Sequence, residues 1–175
     1  SDRNAEFIIS KLSEIGLVTS KIIKIPNKKT GSYTVILDKE GKVIIGASEM
    51  SIMDYITPLM IKKNIKDIKA DIWILDCNFS PKTLTSIIPY IKYKTLIATG
   101  VSKSKTIRLI PILKYLDYLF INEDELLGLN KNTNNIEKSI KKILNLGTKV
   151  IFVTLGDKGA IVASKNEFYK SKILK

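Results

Sequence analysis

The 175-residue sequence contains no histidine and a single cysteine, Cys77. Without histidine the chain cannot form a Ser-His-Asp or Cys-His catalytic arrangement, and most zinc sites are excluded. One cysteine allows no intrachain disulfide, which is typical of a protein in a reducing cytosol. We therefore expect a cytoplasmic protein in which Cys77 is a buried core thiol rather than a nucleophile.

Long apolar runs are also missing. No run approaches the roughly 20 residues that cross a bilayer, and residues 1–4 do not begin a basic segment followed by an apolar one. We expect neither a membrane span nor a signal peptide, and no membrane partner. Hydrophobic residues make up 45% of the chain and charged residues 26%, which is ordinary for a globular protein with a sizeable core.

Arginine is scarce although the formal net charge is +12, because only Arg3 and Arg108 accompany the lysines. The lysines are scattered over every segment, and no aromatic residues interleave a basic stripe. Arginine is the side chain that most often makes two-pronged hydrogen bonds to bases and phosphates. Proteins that stack on unpaired bases use aromatic side chains. The composition therefore favours a generally basic protein over one with a nucleic-acid partner, whose affinity would fall steeply with salt.

Several elements are indicated in the first third of the chain. Turn, cap and periodicity signals identify them. The first predicted element is a helix capped by Asp2 and ended by Gly16, with Phe7, Ile8, Leu12 and Ile15 on one face. A strand at 22–25 follows, and then a hairpin of strands 32–37 and 43–47 around the turn 38–41. Thr57 and Pro58 begin the next helix.

From residue 72 onward, short apolar strands alternate with helices. The predicted strands are 72–75, 95–98, 118–121 and 150–153. One predicted helix begins at Ser80-Pro81, and the others span 104–116, 123–127 and 136–146, the last with Gly147 as its C-cap. The last predicted element is a hairpin of 160–163 and 168–169. Such alternation predicts an α/β fold with a parallel sheet covered by helices on both faces.

Small or polar residues follow each of the four strands. They are Asp76 and Asn78, Thr99 and Gly100, Asn122 and Glu125, and Thr154, Gly156 and Gly159. Open α/β sheets bind ligands in the crevice beyond the carboxyl ends of their strands. The sequence therefore predicts a ligand site along this edge.

Two interpretations of the Asn122–Glu125 segment are open. Glu125 follows Asn122 by three residues, which is the spacing of a capping box. The same pair could face phosphates and organise Mg²⁺ through water, since Mg²⁺ takes oxygen ligands and keeps several waters. The two roles can coexist.

The segment 154–159 also has two interpretations. It could be a tight turn in which glycines supply positive φ, or a cradle of backbone N–H groups that a nucleotide phosphate approaches closely. It is not a Walker A loop, because no helix follows it and the Gly-Lys-Ser/Thr ending is missing.

Asp76 and Asn78 lie on the same side of an extended segment. They could form an Asx-type turn before Ser80 or a polar pair that contacts phosphate or substrate. Ser102 and Lys105 open the next helix, either as a plain capped start with solvated lysines or as an anion site.

Together these segments resemble the ribokinase-like (PfkB) family. Asn122 and Glu125 correspond to its Asn-x-x-Glu motif, and residues 154–159 correspond to its Thr-Leu-Gly-x-x-Gly segment. Residues 30–38 resemble its lid. Residues 30–34, 75–78 and 101–105 are most similar to the pseudouridine kinase branch. Two positions depart from that branch. Gly100 stands where proline is usual, and Ser-Glu-Met at 48–50 replaces the more usual Ala-Asp-Met.

The resemblance implies a three-layer sandwich with a mostly parallel sheet, in which residues 1–175 form one partial domain and a small β lid lies at about residues 20–50. It implies transfer of the γ-phosphate of ATP to a sugar or nucleoside, with the 5′-hydroxyl of pseudouridine as the first candidate acceptor. The alternatives are a ribokinase- or fructokinase-like enzyme and a non-catalytic remnant that acts as a binding module.

The same resemblance assigns roles to residues. Glu125 is the expected Mg²⁺ residue, through water, and a homodimer through the lid hairpin is expected. The family's Gly-Gly substrate motif and its Gly-Ala-Gly-Asp motif, which carries the catalytic base, do not occur in the 175 residues. No residue is therefore assigned as the base, and the chain alone is expected to be inactive. The expected nucleotide-binding residues are Asn78, Ser102, Lys105, Asn122, Glu125, Thr154, Gly156 and Gly159, and the expected lid residues are Ser32 and Thr34.

Overall fold

A computed structural model describes residues 2–130, 133 and 135–172 of the chain. The chain forms two compact units, Ser1–Thr57 and Pro58–Lys175. That both belong to one domain, with a lid at about residues 20–50, stays a prediction.

Helix α1, Arg3–Glu14, begins the first unit. The Asp2 carboxylate accepts the Ala5 N–H at 2.9 Å, and Gly16 follows the helix with a φ of 80°. The predicted cap and end of this helix are confirmed. None of its residues is buried, and of the predicted apolar face only Leu12 is half-buried.

The predicted strand at 22–25 is wrong, because these residues have no regular secondary structure. A strand needs a hydrogen-bonded neighbour, and no strand in the described part of the chain pairs with this segment. Ile22, Ile23 and Ile25 instead line an apolar cavity of about 280 Å³, which Ile9 of α1 and Met53 also line.

The predicted hairpin is confirmed as strands β1, Ser32–Leu37, and β2, Val43–Glu49, which pair antiparallel. The Asp38 carboxylate accepts the N–H groups of Glu40 and Lys42 at 2.9 and 2.8 Å, and this closes the turn. Every residue of both strands is exposed. A 3-10 helix, Ser51–Tyr55, follows the hairpin.

The second unit contains a six-stranded sheet in which neighbours follow chain order. The first four strands are parallel and the last two are antiparallel. The strands are β3, Ile72–Asp76; β4, Thr95–Thr99; β5, Tyr118–Asn122; β6, Val150–Thr154; β7, Ala160–Ser164; and β8, Phe168–Ser171. All six were predicted within two residues at each end.

The helices of this unit are α2, Pro58–Ile65; α3, Pro81–Ile91; α4, Lys103–Thr106; α5, Glu123–Leu129; and α6, Ile136–Asn145. Ser80 caps α3 as predicted, since its hydroxyl accepts the Thr83 N–H at 3.1 Å. The predicted helix 104–116 is α-helical only in α4 and continues as a 3-10 helix, Ile107–Tyr115. Pro111 lies inside that stretch, and proline disrupts α-helical hydrogen bonding.

Side chains alternate between the two faces of the sheet. On one face Leu96, Leu119 and Ile151 are almost completely buried. On the other face Ile74 and Phe120 are exposed, and the Phe120 ring stacks on Phe152 with ring centroids 4.3 Å apart. No helix among the described residues is long and apolar enough to cross a membrane.

Candidate functional site

The carboxyl ends of the four parallel strands lie side by side. Asp76 is the register partner of Thr99, Thr99 is the partner of Phe120, and Asn122 is the partner of Thr154. The polar residues that the sequence places after these strands are therefore neighbours along one edge of the sheet. We call this edge, from Asp76 to Gly159, the candidate site.

Asn122 and Glu125 form a complete capping box at the start of α5. The Asn122 side chain accepts the Glu125 N–H at 2.9 Å, and the Glu125 carboxylate accepts the Asn122 N–H at 3.0 Å. The Glu125 residue is only 6% exposed. The capping-box interpretation is thus confirmed, and the Mg²⁺ role of the same carboxylate stays a prediction.

Gly100 makes room for the Glu125 carboxylate. A Cβ at position 100 would lie 2.5 Å from Glu125 Cδ, well inside van der Waals contact. The Gly100 N–H also donates to Phe120 O at 2.9 Å. A proline, usual at this position in the pseudouridine kinase branch, has no N–H to make that bond.

Asn78 and Lys105 meet at the end of β3. Lys105 Nζ donates to Asn78 Oδ1 at 2.9 Å, and the Asn78 side-chain amide donates to Asp76 Oδ2 at 2.8 Å. The Asn78 N–H donates to Asp76 Oδ1 at 2.8 Å, which is the predicted Asx-type turn. Lys105 is half-buried and tethered rather than freely solvated.

Arg108 belongs to the same cluster and is not among the predicted site residues. Its Nη1 donates to Asn78 O at 2.8 Å. A signal was present, because Arg108 follows Lys105 by three residues in a helical stretch, and residues at that spacing share a helix face.

Cys77 lies between Asp76 and Asn78 and is completely buried. Burial raises the pKa of its thiol, while hydrogen bonds from the backbone N–H groups of Val101 and Ser102 oppose that rise. The prediction of a buried core thiol is confirmed.

Ser102 occupies the N-cap position of α4, but its side chain makes no capping hydrogen bond. Its hydroxyl lies 3.3 Å from the Ser104 hydroxyl. Ser102 and Ser104 line a depression of about 650 Å³ beside Gly128 and Asn130 of the α5 end. The hydroxyl of Ser102 is thus placed where a ligand could reach it.

Residues 154–159 connect β6 to β7 through a 3-10 turn, Gly156–Lys158. Gly156 has a φ of 59°, and a Cβ there would meet nothing within 4 Å. Gly159 has a φ of 96°, and a Cβ there would lie 2.9 Å from the carbonyl carbon of Ser171. The second glycine is therefore required by the packing against β8, whereas the first has open space beside its backbone.

The predicted lid residues Ser32 and Thr34 lie in the other compact unit. Both are on β1, both are exposed, and their spacing places them on one face of the strand. Their role stays a prediction.

The structure is an α/β protein with a candidate ligand site at the carboxyl ends of its parallel strands. The sequence matches the family described as pfkB family carbohydrate kinase over residues 1–174, and the chain belongs to that family.

Individual relatives support this assignment. The chain is 30% identical over 183 residues to a ribokinase of Staphylococcus aureus, covering 95% of this chain and 56% of that protein. It is 26% identical over 89 residues to a pseudouridine kinase of Escherichia coli, covering 50% of this chain and 28% of that protein. The chain thus spans about half the length of the ribokinase and less of the pseudouridine kinase.

A solved structure shows the same fold. An E. coli protein described as a ribokinase II, solved in complex with ATP and Mg²⁺, superposes with a TM-score of 0.76 at 17% identity, covering all of this chain and 60% of that one. The fold is therefore ribokinase-like.

The residues present fit a nucleotide better than a metal held by protein alone. No group of three or more carboxylate or cysteine side chains that could hold a metal occurs in residues 2–130, 133 and 135–172. Mg²⁺ is commonly held by one or two carboxylates together with waters and substrate phosphates, and Glu125 can supply one carboxylate. Lys105 and the open backbone at Gly156 suit phosphate groups.

Proposed function

We propose that this chain is part of an ATP-dependent kinase that phosphorylates a hydroxyl group of a sugar or nucleoside. The observation that carries the proposal is the complete Asn122–Glu125 capping box at the carboxyl edge of a parallel sheet, in a chain of the pfkB family. On either side of it lie the tethered Lys105 and the glycine-containing turn 156–158.

In this proposal the chain's residues position phosphates and neutralise their charge, which is most of what phosphoryl transfer requires of a protein. Lys105 supplies a cation, and Ser102 supplies a hydroxyl donor. The backbone from Thr154 to Gly159 provides a surface that phosphate can approach. Asn78 lies on the predicted nucleotide side of the site, next to Lys105.

Glu125 is proposed to organise Mg²⁺ through water. One of its oxygens accepts the Asn122 N–H, and a carboxylate has lone pairs for a further water. Bound Mg²⁺ would offset the negative charge of the phosphates. No residue of this chain is proposed as the base that accepts the hydroxyl proton.

The acceptor proposed first is the 5′-hydroxyl of pseudouridine, and ribose is the second. Residues 30–34, 75–78 and 101–105 support the first, and the longer match to a ribokinase supports the second. Ser32 and Thr34 are proposed as lid residues that exclude water, as closing lids do.

The test is phosphate transfer from ATP by the purified full-length protein, followed by product mass, with pseudouridine, uridine, ribose and fructose as acceptors. Transfer to pseudouridine alone would support the first acceptor, and preference for ribose would replace it. If ATP binds but none of the four is phosphorylated, the kinase proposal fails and a binding module is favoured.

A homodimer through the β1–β2 hairpin is proposed as well. Ile36 and Ile45 of this hairpin are register partners and are each more than half exposed. Exposed apolar side chains on one face of a sheet are typical of an interaction surface. Sedimentation of the full-length protein should give twice the monomer mass, and Ile36→Lys should shift it toward the monomer. A monomeric wild type would contradict this.

A further inference from the structure

Asn78 is already hydrogen-bonded at all four of its polar atoms. Its N–H and its side-chain amide both donate to Asp76, each at 2.8 Å. Its side-chain oxygen accepts from Lys105 at 2.9 Å, and its backbone oxygen accepts from Arg108 at 2.8 Å. The four residues are half-buried, so these bonds hold the Asn78 side chain in a single orientation.

The partner that Asn78 offers Lys105 is a neutral amide oxygen. Within the part of the chain that the structure describes, the ion pairs involve neither Lys105 nor Arg108. An ammonium group has three N–H donors, and Asn78 takes one of them. Lys105 therefore has N–H donors left for an anion.

We infer that Asn78 is a positioning residue that acts through Lys105, and that it is not itself a nucleotide ligand. Asp76 orients the Asn78 amide, and Arg108 fixes the backbone of the same turn. The identity of the anion, the phosphates of ATP, rests on the proposed function.

The physical advantage is preorganisation. A free lysine side chain loses rotamer freedom when an anion orders it. Because Asn78 already holds Lys105 Nζ, part of that loss occurs before the ligand arrives, and binding is tighter for the same contacts. Truncating Asn78 should thus weaken anion binding only as long as Lys105 is present.

The test is a double-mutant cycle in the full-length protein, with the Kd for MgATP measured by calorimetry. Lys105→Met should raise this Kd about tenfold, because a charge-assisted hydrogen bond is lost. Asn78→Ala should raise it about fivefold through the lost preorganisation. The double variant should bind no more weakly than Lys105→Met alone. Multiplication of the two single effects would overturn the inference, because it would mean that Asn78 contacts the nucleotide independently.

Arg108 provides a second measurement. Arg108→Ala should weaken MgATP binding about threefold through the loosened turn, and Arg108→Lys, which keeps one donor, should recover most of the loss. An equal loss of MgATP affinity in Arg108→Ala and Arg108→Lys would mean that the bond from Arg108 to Asn78 O does not help to position Lys105. Lys92→Met, which changes an exposed lysine at the C-terminal end of α3, is the control and should leave the Kd unchanged.

Folding is checked by thermal unfolding of each variant. If Asn78→Ala does not fold, Asn78→Ser is used instead. It removes the amide oxygen that accepts the hydrogen bond from Lys105, and it tests the same coupling. The two proposals fail separately. If the cycle is non-additive but no acceptor is phosphorylated, the kinase proposal alone is refuted. If phosphate is transferred but Lys105→Met leaves the Kd for MgATP unchanged, this inference alone is refuted.

Discussion

Gly100 and Glu125 are packed against each other at the edge of the sheet: a Cβ on Gly100 would lie 2.5 Å from Glu125 Cδ. Gly100 is not among the described residues with positive φ, so an alanine there meets no backbone strain. The obstacle is the buried carboxyl group, which the Asn122 N–H holds at 3.0 Å. The glycine after β4 and the capping box of α5 are therefore one structural arrangement.

We expect Gly100→Ala to destabilise the protein by about 1–3 kcal/mol, as overpacking of a filled site does. The Glu125 carboxyl would have to move, which would also lower the rate of phosphate transfer if that group organises Mg²⁺. Urea unfolding measures the change in free energy. In a Glu125→Ala background the alanine at position 100 should cost almost nothing, and an equal cost in both backgrounds would refute the steric explanation.

Substitutions in the capping box separate its structural role from the proposed Mg²⁺ role. Glu125→Gln keeps an oxygen that accepts the Asn122 N–H, so we expect a stability change below about 0.5 kcal/mol. The proposed Mg²⁺ role predicts that activity nevertheless falls at least tenfold, because the negative charge of the carboxylate is lost. Asn122→Ala, by contrast, should cost about 1 kcal/mol of stability as a lost N-cap. Full activity in Glu125→Gln would leave the carboxylate with the capping role alone.

Much of the second unit could be predicted because its signals are local. Each parallel strand is a short apolar run, and Ser80 and Gly147 mark a helix start and a helix end with side-chain or backbone preferences that act within a few residues. The edge of polar strand ends followed from the alternation of strands and helices, since parallel strands end on the same side.

The remaining features depend on contacts between distant residues. The segment at 22–25 has an apolar strand pattern, but a strand forms only beside a partner. A glycine is needed at position 100 because the carboxyl group of Glu125, 25 positions later in the sequence, occupies the space that a Cβ would take. The bond from Arg108 to Asn78 O spans 30 positions. The spacing of Lys105 and Arg108 indicates that they share a helix face, but it does not indicate the distant acceptor.

Asp117 joins three strands at the edge opposite the candidate site. Its Oδ2 accepts the Leu96 N–H at 2.7 Å, and its Oδ1 lies 2.6 Å from Lys149 Nζ. Asp117→Ala should lower the free energy of unfolding by about 2 kcal/mol, because the backbone N–H of Leu96 loses its hydrogen-bond acceptor. Asp117→Asn keeps that acceptor and should cost at most about 1 kcal/mol, since the Lys149 side chain is 73% exposed. Asp71→Asn, which breaks the exposed pair with Lys94, is the control and should change stability by less than about 0.5 kcal/mol.

The same pair predicts a pH window. Burial pushes the pKa of Asp117 up, but bonds from Lys149 and Leu96 outweigh it and hold the pKa below its usual value, while Asp117 raises the pKa of Lys149. The stabilisation is complete above the ordinary aspartate pKa and is lost as pH falls through the lower folded value. On the alkaline side it is complete below the ordinary lysine pKa and is lost as pH rises through the raised one. Unfolding free energies across pH should differ between wild type and Asp117→Asn inside this window and converge outside it.

Asp2 links the start of α1 to Thr30. Its carboxylate accepts the Thr30 hydroxyl and N–H, each at 2.7 Å, as well as the Ala5 N–H. These bonds lower the pKa of Asp2 to about 2, and the Thr30 hydroxyl is the largest cause. Thr30→Val removes that hydroxyl and leaves both N–H donors, so the pKa of Asp2 should rise while staying below the ordinary aspartate value.

The folded pKa of Asp2 is lower than the unfolded one, so its contribution to stability is present above the ordinary aspartate pKa and is lost as pH falls through about 2. In Thr30→Val this loss should begin at higher pH. A ¹³C titration of the Asp2 carboxyl group in both proteins measures the shift directly, and Thr30→Ser, which keeps a hydroxyl, should titrate like the wild type. An unchanged Asp2 pKa in Thr30→Val would mean that the backbone N–H groups alone hold the carboxylate, and that the Thr30 hydroxyl contributes nothing to the connection between α1 and the segment before β1.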